Sequence, residues 1–365
     1  MSAQAPGGPV RPSRVERAAR NRRSRRGLVW GVGAGLVALG LGAFVLSRAG
    51  DDAPPPASDR EPAVATPEAR LLALQVDGGP APLLAVIGVP ADDTPFLMPL
   101  SSELTVVVPG QGETPSAGVA ALPAESMRVG LSNMSGIWID HFAVLSLGDL
   151  AATIEAAGGI EVNLPAAYPT TGNVLGPGEL TMSGAQARAF LAGATDDAGV
   201  RWEILLGAML ADPPSLVASE TVQTDDADAV DSLLADASGA EALDIPTERV
   251  TATIIVPVYP TLDQMLSRRL GTPVPVPVIV QNGSGEPGVG EAVAARIIPA
   301  GFRVVLSQNA QSFDVVRTDV YANGPDHEAE ARRVKSALGV GRVRVAAVPS
   351  NVGDITIVVG KDFTA

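Results

Sequence analysis

The chain has 365 residues, a net charge of −14, no cysteine and only two histidines. Thiol nucleophiles, disulfide frameworks, iron–sulfur clusters and Cys/His zinc sites are therefore excluded. The hydrophobic content of 46% is enough for substantial cores, and the length allows two or three domains.

The charge is distributed unevenly along the chain. Residues 1–26 contain eight arginines and one acidic residue, a net charge of +7. Residues 67–250 contain 25 acidic residues, five arginines and no lysine, a net charge of −20, whereas residues 251–365 sum to +1. Three regions of such different charge indicate three physical environments.

The first apolar segment has the length of a membrane span. Residues 27–47 form a 21-residue stretch without a charged side chain. At about 1.5 Å per residue a helix of this length covers roughly 31 Å, the thickness of a hydrocarbon core. Because basic flanks stay in the cytoplasm, we expect a basic cytoplasmic tail at 1–26, one transmembrane helix at 27–47, and the bulk of the chain outside the cell. A nucleic-acid-binding arm is the rival use of the arginines, and we expect no nucleic-acid partner.

Two other interpretations of this segment stay open. Residues 24–28 resemble a twin-arginine export signal and residues 47–49 a cleavage site, but the apolar run is longer than a usual signal, which favours an uncleaved anchor. Gly27, Gly31 and Gly35 form two successive G-x-x-x-G units, a pattern that packs two membrane helices into a homodimer. The proline-rich residues that follow, 48–66, are expected to be an extended linker.

Residues 67–250 alternate between strand-like and helix-like segments. Five apolar or alternating segments predict strands at 71–76, 83–87, 104–108, 142–145 and 160–164. Two N-terminal capping pairs, Ser146 with Asp149 and Ser183 with Gln186, predict the starts of two helices. The alternation predicts an α/β domain in which helices pack on a sheet.

Two stretches of this region, residues 139–165 and residues 175–190, resemble the LytR–CpsA–Psr family in order and spacing. Proteins of that family are membrane-anchored, extracytoplasmic phosphotransferases that move glycopolymers from a polyprenyl-pyrophosphate carrier onto peptidoglycan. The resemblance implies an α-β-α domain of this family over 67–250. It also implies a location in the cell envelope, with membrane lipid, polyprenyl lipid, cell-wall polymer or envelope proteins as partners.

The residues that would handle pyrophosphate depart from the family pattern. Such chemistry needs arginines for the phosphate oxygens and carboxylates for a Mg²⁺ ion. Where the family has an arginine–aspartate pair this chain has Ser102 and Glu103, and two later family arginines are alanines within 192–194. Asp77 matches an early family aspartate, and Arg201 keeps one of two arginines. These matches make Asp77, Glu103 and Arg201 vestigial candidates.

Each candidate also has a structural explanation. Asp77 precedes two glycines and is typical of a turn, Glu103 is compatible with a solvated strand edge, and Arg201 is expected to pair with Asp196 or Asp197. A multiply charged anion would also meet a region of net charge −20 with only five arginines. We therefore expect no catalytic residue and no cofactor, and Mg²⁺ only if the chain is an active transferase.

The last part of the chain predicts a separate small domain. Residues 251–275 are expected to be a linker, with a hinge at 272–277. From residue 276 the pattern predicts a βαββαββ sandwich. Its strands are expected at 278–280, 302–306, 314–321, 342–345 and 355–359. One helix is expected over 289–297, and a second is expected to begin at residue 325.

The C-terminal region contains a glycine-rich motif and a second family resemblance. Residues 283–288 match G-x-G-x-x-G, but Pro287 removes one amide donor and no acid follows the second strand, which favours a glycine-permissive turn over a cofactor site. Residues 278–285, 301–304 and 354–362 resemble the LytR C-terminal domain. That domain accompanies the transferase family in actinobacterial envelope proteins and implies no catalytic residue.

These observations favour a membrane-anchored envelope protein that binds or scaffolds without catalysis. The alternative is an active phosphotransferase that attaches glycopolymers from polyprenyl-pyrophosphate carriers to peptidoglycan. No nucleophilic triad competes with these hypotheses, because His141 falls in a predicted strand and His327 in a helix of the other domain.

Overall fold

The computed structural model describes residues 69–79, 82–194, 197–216, 221–346 and 352–364. The expected cytoplasmic tail, transmembrane helix, glycine pattern and proline-rich linker all fall within residues 1–68, outside the described residues. Within the described ranges no helix combines the length and the apolar character needed to cross a membrane.

The described chain begins with a large α/β region. In chain order its elements are β1 (Arg70–Asp77), β2 (Leu83–Val89), β3 (Phe96–Leu100), β4 (Thr105–Val108), β5 (Gly112–Pro115), α1 (Ser116–Val119), α2 (Ala124–Ser135), β6 (His141–Ser146), α3 (Leu147–Ala156), β7 (Ile160–Leu164), β8 (Tyr168–Thr170), β9 (Asn173–Leu175), β10 (Gly178–Met182), α4 (Gly184–Ala192), α5 (Ala198–Ala211), β11 (Gln223–Thr224), α6 (Ala227–Asp236), β12 (Glu241–Ala242), β13 (Thr247–Arg249), β14 (Ile255–Pro257) and α7 (Tyr259–Leu270).

The first sheet has six strands in the order β11-β6-β1-β2-β3-β12. Strand β1 lies inside it, parallel to β6 and antiparallel to β2, and six of its eight residues are buried. Leu72 and Leu74 face a core that includes α3 to α6, whereas Leu71 and Ala73 face a second core that includes α2 and α7. Helices therefore cover both faces of the sheet, and the expected mixed α/β fold is confirmed.

Both predicted helix starts are confirmed. Ser146 caps α3 by accepting a hydrogen bond from the backbone N–H of Asp149, whose carboxylate accepts one from the N–H of Ser146. Ser183 and Gln186 make the same reciprocal pair at the start of α4. Each pair satisfies two backbone donors that a helix start leaves free, so a local signal fixes both helices.

A second sheet follows. Its elements are β15 (Val276–Asn282), α8 (Val289–Ile297), a 3₁₀ helix (Ile298–Ala300), β16 (Phe302–Asn309), β17 (Asp319–Ala322), a second 3₁₀ helix (Pro325–His327), α9 (Glu328–Leu338), β18 (Arg342–Val345) and β19 (Ile355–Val359). The strand order is β16-β15-β19-β17-β18, and α8 and α9 share one apolar core with the sheet. The predicted βαββαββ order is confirmed, although the third strand covers Asp319–Ala322 and not 314–321.

The segment expected to be a linker is folded instead. Residues 251–275 contain β14 and α7, and α7 buries Leu262, Leu266 and Leu270 in the second core. The expected hinge at 272–277 runs directly into β15. The sequence analysis missed α7 because no side chain caps its start, which follows Val258.

The α/β region and the second sheet lie in one compact unit, which includes the described residues within 69–345 and 352–364, and buried polar contacts join them. The Asn133 side chain, at the end of α2, donates to the carbonyls of Val107 (3.0 Å) and Val304 (2.8 Å). Its oxygen accepts the N–H of Val304 at 2.8 Å. One fully buried amide thus occupies the outer edge of β16, where another strand would otherwise pair.

Arg303 is the second buried link. It is 3% exposed, and its guanidinium donates to the carbonyls of Asn133 (2.9 Å) and Met134 (3.1 Å) and to the Asp263 carboxylate (2.6 Å). The ring of Tyr259 lies 4.5 Å from the guanidinium carbon. Burial raises the pKa of Asp263, and the Arg303 charge opposes that rise. A cation placed on the last carbonyls of α2 also complements the negative end of the helix dipole.

Candidate functional site

The resemblance places the candidate site at the carboxyl end of β1, where Asp77 lies beside Ser146 in the parallel strand β6. The Gln75 side chain, 3% exposed, donates to both carboxylate oxygens of Asp77 at 2.9 Å. The same nitrogen lies 2.9 Å from the Ala120 carbonyl. Asp77 is therefore held by a buried amide that also ties β1 to the segment after α1.

The space at this edge of the sheet is small and apolar. A cavity of about 10 Å³ lies against Val76, Gly79, Leu83, Leu147 and Leu191. A volume of this size holds about one water molecule. The described residues that line this cavity pack closely on the face of β1 that Val76 shares with the core around α3 to α6. Asp77 bonds instead to Gln75, whose amide reaches Ala120 in the other core.

Arg201 lies in α5 and is 2% exposed. Its Nε donates to the Asp197 carboxylate at 2.8 Å, which confirms one of the two expected partners. Its Nη1 donates to two backbone carbonyls, of Pro169 and Phe190, both at 2.8 Å. The rings of Tyr168 and Phe190 lie 5.3 and 5.2 Å from the guanidinium carbon. These contacts account for the buried charge and tie α5 to α4 and β8.

Glu103 lies in the turn before β4, and its side chain is 63% exposed. Its ion-pair partner is Arg249, at 3.8 Å and 55% exposed, a surface pair that contributes little to stability. Among the hydrogen bonds and ion pairs of the described residues, none joins any two of Asp77, Glu103 and Arg201. The structure thus places the three candidates in separate local networks.

The other arginines of this region lie at separate points too. Arg70 pairs with Asp236 at the start of β1, and Arg188 is exposed on α4. Arg128 pairs with Glu125 and Asp225. The cavity beside Val76 and Leu147 has no arginine among its described lining residues. The region therefore shows no converging set of guanidinium groups in the part that the structure describes.

Arg128 belongs to a polar cluster at the amino ends of β1 and β6 that the sequence did not indicate. Its guanidinium lies 4.9 Å from the ring of Trp138 and donates to the Asp140 carbonyl at 3.0 Å. The Asp140 carboxylate accepts the N–H of Leu71 at 2.8 Å, and burial raises its pKa. His141 lies here too, 3.3 Å from Asp225. These contacts fix the start of the two parallel strands.

Two further site hypotheses can be compared with the geometry. In the glycine-rich loop the Asn282 side-chain oxygen accepts the N–H groups of Ser284 (3.2 Å) and Gly285 (3.0 Å). Amides that a phosphate would need are thus used within the turn. Over the described ranges, no group of three or more histidine, aspartate or glutamate residues is arranged to hold a metal ion.

A second cavity, which no sequence pattern indicated, is much larger. Its volume is about 460 Å³, and it lies between the carboxyl ends of α3 and α5 and the β7–β10 pair. Glu161, Thr181 and Asp212 supply its polar side chains. Its lining comes from segments far apart in the chain, which is why the sequence alone could not reveal it.

Comparison with known proteins identifies the domain that contains the second sheet. Residues 275–363 match the family LytR_C, described as "LytR cell envelope-related transcriptional attenuator". The expected LytR C-terminal domain is thereby confirmed. Among curated proteins no sequence matches this chain.

The chain is also similar in structure to several solved proteins, of which YwtF is described as a LytR–CPS2A–Psr family protein. Bacillus subtilis TagV is 17% identical with a TM-score of 0.47, over 57% of this chain and 99% of TagV. YwtF (TagT), solved with bound octaprenyl pyrophosphate lipid and also from Bacillus subtilis, is 13% identical with a TM-score of 0.48, over 60% of this chain and 95% of YwtF. A transcriptional regulator from Enterococcus faecalis is 17% identical with a TM-score of 0.46, over 57% of this chain and 89% of the regulator.

Proposed function

We propose that this chain is a cell-envelope protein that acts by binding and scaffolding, and that its α/β region does not catalyse phosphotransfer. The carrying observation is the separation of its cations. Four arginines each pair with a different carboxylate, and no described contact joins two of these arginines: they are Arg70, Arg128, Arg201 and Arg249. A pyrophosphate needs several fixed positive groups around one point, because its charges are costly to desolvate unpaired.

The close apolar packing that the described residues show beside the end of β1 supports the same proposal. Phosphotransfer needs a space in which the reacting groups and a metal ion meet. The cavity beside Val76 and Leu147 has a volume of about 10 Å³ and an apolar lining. On the other face of β1, the Asp77 carboxylate accepts hydrogen bonds from the Gln75 amide.

The buried junction supports a scaffolding role for the whole chain. Asn133 and Arg303 connect the LytR C-terminal domain to the α/β region through contacts that are withdrawn from water. A buried junction of this kind holds the surfaces of the two regions in a fixed orientation. We propose that partners bind to the surfaces arranged in this way. Cell-wall polymer, polyprenyl lipid and other envelope proteins are the proposed partner classes.

We further propose that residues 27–47 anchor the chain in the cell membrane as a single span, with residues 1–26 in the cytoplasm and the α/β region outside. The uncharged length of the segment and its arginine-rich flank support this placement. Homodimerisation through Gly27, Gly31 and Gly35 remains a prediction of the sequence pattern.

The competing function is an active phosphotransferase that uses Asp77, Glu103 and Arg201 with Mg²⁺. The test is release of phosphate or pyrophosphate from geranylgeranyl pyrophosphate by the full-length chain with Mg²⁺, together with sedimentation of the chain on insoluble peptidoglycan. We expect no release above the EDTA control and binding to peptidoglycan. The proposal is wrong if Mg²⁺-dependent release occurs and Asp77→Asn and Arg201→Lys both abolish it while the circular dichroism spectrum is unchanged.

A further inference from the structure

The cavity of about 460 Å³ between α3 and α5 has the size of a small-molecule site. Ile160, Ala208 and Pro213 give it an apolar wall, and Glu161 and Asp212 place carboxylates at it. It is distinct from the edge of the sheet where Asp77 lies. The proposed function makes no use of it.

Its walls offer hydrogen-bond acceptors and few donors. The N–H groups of Gly158 and Gly159 turn back onto the carbonyls of α3, to Glu155 (3.0 Å) and Ile154 (2.9 Å). The Thr181 hydroxyl donates to Glu161 across the β7–β10 pair. The donors on this side are thus used within the protein.

The side of the cavity formed by the end of α5 lacks backbone donors because two prolines follow the helix. Pro213 and Pro214 follow the helix and have no N–H, so they cannot cap the carbonyls of Met209 and Leu210. The Leu210 carbonyl instead accepts the N–H of Gly239 at 2.8 Å. The carboxyl ends of α3 and α5 both meet the cavity, and each carries the negative pole of a helix dipole.

The charges around the cavity have the same sign. No lysine or arginine among the described residues forms an ion pair with Glu161 or Asp212. The cavity lies in the region of net charge −20 and has no basic residue in its lining. Both carboxylates are exposed at the mouth of the cavity. They repel an anion, give a neutral polyol no electrostatic attraction, and attract a cation.

We propose that this cavity binds a primary alkylammonium group. The ammonium would donate its three N–H bonds to the carboxylates of Glu161 and Asp212 and to a helix-end carbonyl. The methylene stem would lie against the apolar wall made by Ile160, Ala208 and Pro213. The ligand class is an amine with a short aliphatic chain, such as a lysine-like side chain.

The experiment is calorimetric titration of the full-length chain with 1,5-diaminopentane and, separately, with the uncharged analogue 1,5-pentanediol. We expect saturable binding of the diamine only, and weaker binding at higher salt because the attraction is electrostatic. The double variant Glu161→Gln/Asp212→Asn should weaken diamine binding by about tenfold. Equal binding of diol and diamine would overturn the proposal.

Matched variants separate a site from general attraction to an acidic protein. Glu179→Gln lies in the same strand pair and Glu203→Gln on the same helix, and both residues are exposed and outside the cavity lining. This control pair removes the same charge and should leave diamine affinity within twofold of wild type. The proposal fails if the control pair weakens binding as much as the cavity pair, or if neither weakens it. Thermal unfolding of both pairs shows that each is folded.

Discussion

Arg201 and Arg303 are both almost fully buried, and the regions around them differ in what the arginine connects. Arg201 binds Asp197, four residues away, and carbonyls of the same α/β region. Arg303 binds Asp263 of α7 and two carbonyls of α2, and so holds the second sheet to two helices of the α/β region. The contrast shows that Arg201 supports the fold of the α/β region itself, whereas Arg303 joins that region to the second sheet.

The largest effect is expected at the junction. Arg303→Met leaves Asp263 and two carbonyls buried without their donor, and should lower the free energy of unfolding by about 3–5 kcal/mol. Urea denaturation measures this loss, with exposed Arg317→Ala as the matched control. Adding Asp263→Asn to the variant should recover part of the loss. A loss no larger than that of the control would mean that the junction is not held by Arg303.

A smaller loss is expected at the candidate site. Arg201→Met removes the donor to the Pro169 and Phe190 carbonyls and should cost about 2–3 kcal/mol in urea denaturation. Exposed Arg188→Met, on α4, is the control. An arginine kept only for catalysis would be replaceable without loss of stability, since such residues are often costly to the fold. Unchanged stability of Arg201→Met would therefore contradict the structural role.

The close approach of α8 to the β4–β5 turn gives a third prediction. A Cβ on Gly290 would lie 2.8 Å from the Gly110 nitrogen, which donates to Ser307 at 3.0 Å. Gly290→Ala should therefore cost about 1–2 kcal/mol, because the β4–β5 turn must move. Gly199→Ala is the control, since a Cβ there meets nothing within 4 Å. Equal thermal stability of the two variants would show that the turn is free to yield.

The smallest effect concerns pH. Burial raises the pKa of Asp140 above its ordinary value of 3.8, so the folded chain holds this proton more tightly than the unfolded chain. The resulting stabilisation is full below pH 3.8 and is lost as the pH rises through the raised value. Asp140→Asn should flatten this part of the pH dependence of unfolding in urea. An unchanged slope in the variant would assign the dependence to other groups.

The comparison also explains what the sequence could predict. The Ser146 and Ser183 caps and the Arg201–Asp197 pair depend on residues three or four positions apart, and local spacing revealed them. Arg303 binds partners 40 and 170 residues away, and nothing in its neighbourhood indicates that role.

The starts of two helices escaped the sequence analysis for a related reason. Helices α2 and α7 begin after Pro123 and Val258 without a side-chain cap, so the signal that marked α3 and α4 was missing. Composition, in contrast, sets a limit on any phosphate site. With five arginines in residues 67–250, any phosphate site would have required most of them at one point.

The most direct test of the central claim is phosphorus NMR of geranylgeranyl pyrophosphate titrated with the full-length chain and Mg²⁺. If Arg201 serves the fold, the diphosphate resonances should shift no more when the wild-type chain is added than when Arg201→Lys is added. No resonance of a hydrolysis product should appear with either protein. The account would be contradicted if the wild-type chain gave a saturable shift or a product resonance that folded Arg201→Lys did not give. That result would favour an active phosphotransferase.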